Sequence, residues 1–147
     1  KVYAELTIPP IQGNAKLLHR ALTNLVTNAV DAMPNGGEFA IRLVYEDDLH
    51  CVRIEISDTG SGIPEEIRGR VFQEMVTTKP RGTGLGLMIT YQIICELHRG
   101  ELWFETIPGQ GTTFFIRLPI KRGRLLSAKT ESTAFALWQN TDDYPWD

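Results

Sequence analysis

The sequence predicts a two-layer α/β sandwich: a mixed, mainly antiparallel sheet of about five strands with three helices on one face. Three observations carry that prediction. Several short stretches alternate apolar and polar residues at the period of a strand. Two longer stretches repeat apolar residues at steps of three and four, the period of a helix with one buried face. Turn-forming residues join two of the strand pairs closely enough for antiparallel hairpins.

Residues 2–8 are rich in strand formers and read as an opening strand, closed by Pro9 and Pro10. Residues 14–33 read as a long helix with Asn14 as N-cap. Leu18, Leu22, Leu25, Ala29 and Ala32 form its apolar stripe, and Pro34-Asn35-Gly36-Gly37 stops it. Residues 38–46 alternate through Phe39, Ile41, Leu43 and Tyr45, and residues 51–57 through Val52, Ile54 and Ile56, with Asp47-Asp48 in the hairpin loop between. From Asp58 to Gly84 glycines, threonines and single charges dominate, around one short amphipathic piece at 65–72. A further helix is expected from Leu85 to His98, with Leu87, Tyr91, Ile94 and Cys95 inward and Arg99-Gly100 at its end. Residues 101–106 and 112–119 read as a last strand pair around Pro108-Gly109-Gln110-Gly111. After Pro119 the pattern fades. The expected organisation is one domain over 1–120 and a tail over 121–147, loosely ordered or strapped over the surface, with Trp138 and Trp146 near its end.

Composition narrows the function classes. The chain has 147 residues, enough for one domain with a real core, and 42% hydrophobic residues exclude a disordered class. Fifteen Lys+Arg against eighteen Asp+Glu leave a net charge of −3, the wrong balance for gripping nucleic acid phosphates. No apolar run approaches the roughly 18 residues of a membrane span. The opening residues carry neither an initiator Met nor a signal-peptide pattern, so the chain is read as a piece of something longer. Cys51 and Cys95 stand far apart in apolar surroundings, which points to a reducing, cytoplasmic compartment. His19, His50 and His98 lack metal-ligand spacing, and no nucleophile elbow is present.

Four segments carry chemistry. Asn24 and Asn28 fall on one helical face, with Arg20 before and Asp31 after. An amide oxygen there suits a hard cation and an NH₂ suits a phosphate, while a solvated polar face is the bland alternative. Asp58-Thr59-Gly60-Ser61-Gly62-Ile63-Pro64 follows a strand. It reads either as an Asp-Gly turn or as a carboxylate accepting from an adenine amine beside glycines that admit a flat ring. Gly82-Thr83-Gly84-Leu85-Gly86-Leu87 opens a helix and either cradles phosphate with backbone N–H groups or is a hinge. Phe72 to Arg81, with Thr77, Thr78, Lys79 and Arg81, reads as a lid over phosphates or as a solvated basic loop. Thr112 and Thr113 read equally as strand residues or as part of the adenine pocket.

In order and together these segments resemble the catalytic, ATP-binding domain of sensor histidine kinases, within the wider Bergerat-fold (GHKL) group of gyrase B, MutL and heat-shock chaperone ATPases. Leu22 to Ala32 is similar to the family's N box, Asp58 to Pro64 to the G1 box, and Phe72 to the F box. Thr77-Thr78-Lys79 with Gly82 to Leu87 is similar to the lid and G2 box, and Glu96-Leu97-His98 and Pro108 to Phe114 to the helix end and final glycine turn. The resemblance implies ATP and Mg²⁺ as cofactors. Asn28 would coordinate Mg²⁺, supported by Asn24 and Asp31. Asp58 would bind the adenine amine, with Gly60, Gly62 and Ile63 along the ring and Thr113 reaching the base. Thr77, Thr78, Lys79, Arg81, Gly82, Thr83, Gly84, Leu85, Gly86 and Leu87 would hold the triphosphate, with Asn24 and Lys79 nearest the chemistry. Hydrolysing relatives carry a Glu one turn before the metal Asn. Asn24 stands there, which favours phosphoryl transfer to a partner. The F box departs from the pattern, with Glu74-Met75-Val76 where a second aromatic is usual.

The resemblance further implies an upstream dimerisation domain bearing the phosphoacceptor His, a response-regulator receiver domain as partner, a homodimeric parent, and no direct contact of this domain with nucleic acid or membrane. No His here has the acidic neighbour of an acceptor, so the piece alone is not expected to autophosphorylate. The rival readings are a gyrase- or MutL-like ATPase module and an anti-sigma-type serine kinase.

Overall fold

The computed structural model describes residues 1–4, 7–74 and 84–120. Five strands form one sheet in the order β1-β2-β3-β5-β4: β1 (Val2–Ala4), β2 (Phe39–Glu46), β3 (Cys51–Asp58), β4 (Glu101–Ile107) and β5 (Gly111–Pro119). Only β1 on β2 is parallel; β2–β3, β3–β5 and β4–β5 are antiparallel. The helices are α1 (Ala15–Asp31), the single turn α2 (Glu65–Arg68) and α3 (Leu85–Tyr91), which continues as a π-helix over Gln92–Leu97. The mixed sheet of five strands and the helix layer therefore match the expected sandwich, with the strand expected over 2–8 described over Val2–Ala4 alone.

Alternation places the core between sheet and helices. On β3, Val52, Ile54 and Ile56 face in, and on β5 Phe114, Ile116 and Leu118 do so. They meet Ala21 and Leu25 of α1 and Ile93, Ile94 and Leu97 of the π-helix. Each large side chain buried this way contributes about 1.5–3 kcal/mol. The deepest line on α1 runs Ala21–Leu25–Ala29, which keeps Leu25 and Ala29 of the expected stripe and adds Ala21, with Leu18 and Leu22 half-buried. Leu87, Tyr91 and Cys95 are half-buried as well, beneath a deeper set of Thr90, Ile93, Ile94 and Leu97.

Both ends of this helix pair are pinned. Asn14 caps α1, its Oδ1 accepting from Leu17 N at 3.1 Å. The Asn14 N–H donates to His98 Nε2 at 2.9 Å, while His98 Nδ1 lies 2.6 Å from the Ile93 carbonyl. Buried His98 thus clamps the start of α1 to the end of the π-helix. The hairpin loop between β2 and β3 is one 3₁₀ turn, Asp47–Leu49, ended by His50 at φ 50°. Both cysteines are free thiols.

Candidate functional site

Asp58 and the 58–64 loop lie at the end of the sheet where β3 finishes. Asp58 is the last residue of β3, pairs with Thr112 on β5, and Thr112 pairs in turn with Thr106 on β4. These three polar residues close the helix-side face above apolar rows, Ile56–Phe114–Phe104 and Ile54–Ile116–Leu102.

Asp58 is 8% exposed. Its Oδ1 accepts from Gly60 N at 2.8 Å and from Thr112 N at 3.3 Å. Burial pushes its carboxyl above the usual carboxylate range, against the two backbone donors that favour the charged form. Both bonds fall on Oδ1, so Oδ2 keeps its accepting capacity.

Two glycines let the 58–64 loop lie where it does. At Gly60 a Cβ would stand 2.5 Å from the Ala32 carbonyl oxygen, so the loop presses against the C-terminal end of α1. At Gly62, φ is +77° and a Cβ would stand 2.8 Å from the Ile107 carbonyl oxygen. Backbone bonds fasten both sides, Ser61 N to Ala32 O at 3.2 Å and Gly109 N to Ser61 O at 2.8 Å. Ile63 donates its N–H to Thr106 Oγ1 at 2.9 Å, and its carbonyl accepts from Arg68 Nε at 3.0 Å.

Helix α1 connects this loop to α3. Asn24 Nδ2 donates to the Gly86 carbonyl at 3.2 Å and to Thr90 Oγ1 at 3.4 Å. Gly84, at φ 72°, precedes the first turn of α3. Along one side of α1, therefore, Ala32 meets the 58–64 loop, Asn28 follows a turn earlier, and Asn24 holds the start of α3. The eight steps from Asn24 to Ala32 span about 12 Å of helix. Asn28 is half-buried on that line, and Asp31 is exposed near the end of the helix.

The structure separates two residues from this gathering. Thr113 points to the opposite face of the sheet, where its Oγ1 lies 3.0 Å from Ser57 Oγ. Alternation makes Thr112, buried and bonded to Asp58, the threonine of the helix-side row. Phe72 packs into an aromatic cluster, stacked on Tyr91 at 5.7 Å and edge-on to Phe104 at 5.8 Å. Leu85 is 38% exposed and Leu87 packs on the core. The expected lid residues Thr77, Thr78, Lys79 and Arg81, with Gly82 and Thr83, lie outside the described residues, as does the tail 121–147. Thr106 is the site-end residue that reading by motif did not single out, and strand register is the missing signal, as it is for choosing Thr112 over Thr113. Among the described residues no group of three or more His, Cys, Asp or Glu could hold a metal.

The site thus lies at one end of an α/β sandwich, where glycine-bearing loops leave both the sheet and the helix layer. The chain belongs to the histidine kinase-, DNA gyrase B- and HSP90-like ATPase family, whose model matches residues 13–122. It is 40% identical over 111 residues to sporulation kinase A of Bacillus subtilis (strain 168), covering 76% of this chain and 18% of that protein. Sporulation kinase E of the same organism is 41% identical over 115 residues, covering 78% of this chain and 15% of that protein. The chain thus spans under a fifth of the length of these relatives. Among solved structures, the catalytic domain of histidine kinase ThkA matches with a TM-score of 0.69 at 31% identity, over 82% of this chain and 78% of that one. The mycobacterial sensor histidine kinase MprB matches with a TM-score of 0.66 at 32% identity, over 83% of this chain and 84% of that one.

Proposed function

We propose that this chain binds Mg-ATP and that the protein it belongs to passes the γ-phosphoryl group to a histidine of an upstream dimerisation domain, in two-component signalling. One observation carries the reading: a single face of α1 touches the Asp58 loop at Ala32 and the start of α3 at Asn24, with Asn28 between them. Asp58 Oδ2 accepts the exocyclic amine of adenine, and Gly60, Gly62 and Ile63 line the base. Asn28 and the glycine turn at Gly84–Gly86 serve the phosphates, together with Lys79, Thr77, Thr78, Arg81, Gly82 and Thr83 of the motif.

The donor set fits Mg²⁺. Asn28, with Asn24 and Asp31 beside it, offers oxygen rather than sulfur or imidazole, as a hard cation bound largely through substrate phosphates requires. When bound, the ion would neutralise charge on the phosphates. The protein's own work is to place the nucleotide and to hold backbone N–H groups and Lys79 against that charge.

Position 24 favours transfer over hydrolysis. Its side chain donates to a carbonyl, so a carboxylate base in its place would face the Gly86 oxygen without a proton. A receiver domain as onward partner, a homodimeric parent and a cytoplasmic site of action complete the reading. No helix among the described residues is long and apolar enough to cross a membrane.

Titration of a fluorescent ATP analogue into wild type, Asp58→Ala and Asn28→Ala tests it. Binding should fall in both variants, with the Asn28→Ala loss dependent on Mg²⁺. Undiminished binding in Asp58→Ala would refute the adenine role. Incubated with labelled ATP, the chain alone should form no phosphohistidine. Rapid ATP turnover would favour the gyrase or MutL kind of machine, and an acid-stable phosphorylated partner the serine kinase.

A further inference from the structure

We propose that Thr106 is a positioning residue that sets which purine the site accepts, by fixing the proton of Thr112 beside Asp58. The proposal rests on the ATP reading above and deepens it at the base end.

Thr106 sits where valine would be the economical choice, on the inward face of β4 directly above Phe104. Its hydroxyl is instead fully engaged. It accepts from Ile63 N at 2.9 Å, donates to the Gly111 carbonyl at 3.2 Å, and lies 3.0 Å from Thr112 Oγ1. A hydroxyl has one proton to give and two lone pairs to accept with. With its proton on Gly111 O and one lone pair on Ile63 N–H, the contact with Thr112 is satisfied when Thr112 donates.

That assignment has a chemical consequence. The Thr112 proton is turned toward Thr106, so Thr112 Oγ1 presents only acceptor lone pairs. Asp58, whose Oδ1 is held by the Thr112 and Gly60 N–H groups, is an acceptor too. The end of the sheet is then a pair of acceptors with no donor between them. Such a pair matches a base edge that donates, a 6-amino group, and repels one that presents a 6-oxo oxygen. Removing the Thr106 hydroxyl frees the Thr112 proton to rotate outward and meet a carbonyl.

The test compares three nucleotides with identical phosphates: ATP, GTP and purine riboside triphosphate, which lacks any 6-substituent. Each is titrated into wild type, Thr106→Val and Thr106→Ser. Thr106→Val should weaken ATP about tenfold, the size of one lost hydrogen bond to a polar group. Purine riboside triphosphate should change less than about twofold, so the preference for ATP over GTP shrinks. Thr106→Ser should restore all three values. A parallel loss for ATP and purine riboside triphosphate in Thr106→Val would reduce Thr106 to a structural residue and overturn the proposal, as would no change for either. Should Thr106→Val not fold, Thr106→Ala supplies the same contrast. Wild type that binds ATP leaves the ATP reading standing whichever way Thr106 falls; wild type that binds none of the three removes both.

Discussion

Asp58 is held in a state that costs the fold and that the proposed adenine contact would use. Its carboxyl is buried, receives hydrogen bonds on one oxygen only, and has its pKa raised by burial. A raised carboxyl pKa in the folded state means that folding opposes ionisation of this group. Its contribution to stability falls as pH rises from the ordinary carboxylate value through the raised one. Asp58→Asn keeps an oxygen for Gly60 N and Thr112 N and removes the buried charge. The melting temperature of the nucleotide-free protein should therefore hold or rise in Asp58→Asn. ATP affinity should fall by about 10- to 100-fold, because an amide NH₂ meets the base amine where an acceptor is needed. Thermal denaturation and titration on one preparation check both halves, and a variant that melts lower yet binds normally would contradict the assignment.

At the scale of elements, the bond from Asn24 to Gly86 joins α1 to the start of α3. Gly86 O also accepts from Thr90 Oγ1 at 2.8 Å, so Asn24 Nδ2 inserts into a small network at the first turn. Asn24→Asp keeps the size and removes the donor, leaving a carboxylate against a carbonyl oxygen. It should cost about 1–3 kcal/mol of stability and weaken nucleotide binding without creating ATPase activity, whereas Asn24→Ala should cost less. Denaturant midpoints and phosphate release decide this.

The elements themselves were largely legible in the sequence, because Phe39 to Tyr45 and Val52 to Ile56 alternate cleanly and α1 repeats at the helical period. Three features escaped. The winding of residues 92–97 widens to a π-helix, whose end has His98 N donating five residues back to Ile93 O. That widening lets Ile93 and Ile94 both bury, and periodicity carries no trace of it. The choice of Thr112 over Thr113 depends on which face of β5 meets Asp58, and only pairing of the strands fixes that. The His98 clamp joins positions 84 residues apart, beyond any local pattern.

For the whole molecule, two faces of one sheet respond to acid in opposite senses. On the face without helices, Glu46 on β2 binds Arg53 at 3.3 Å and Arg117 at 2.6 Å, and Arg117 continues to Glu101 on β4. The Arg117 hydrogen bond holds the Glu46 carboxyl below its ordinary value. A depressed carboxyl pKa contributes stability that is present above the unfolded value and lost as pH falls through the folded one. Across the sheet Asp58 has the opposite shift, its carboxyl raised by burial where that of Glu46 is lowered by Arg117. Acid should therefore silence the base end of the site while the charged ladder across β2, β3, β5 and β4 still stands. Following ATP and purine riboside triphosphate binding from pH 7 downward isolates that end, since both carry the same phosphates. The ATP advantage should vanish at a pH above the unfolding transition seen by circular dichroism. Glu46→Gln should bring unfolding to higher pH without moving the loss of base preference. Asp58→Asn should abolish the preference at every pH and leave the unfolding transition where it was or lower. Coincidence of the two transitions in wild type would mean that binding is lost only because the sheet comes apart.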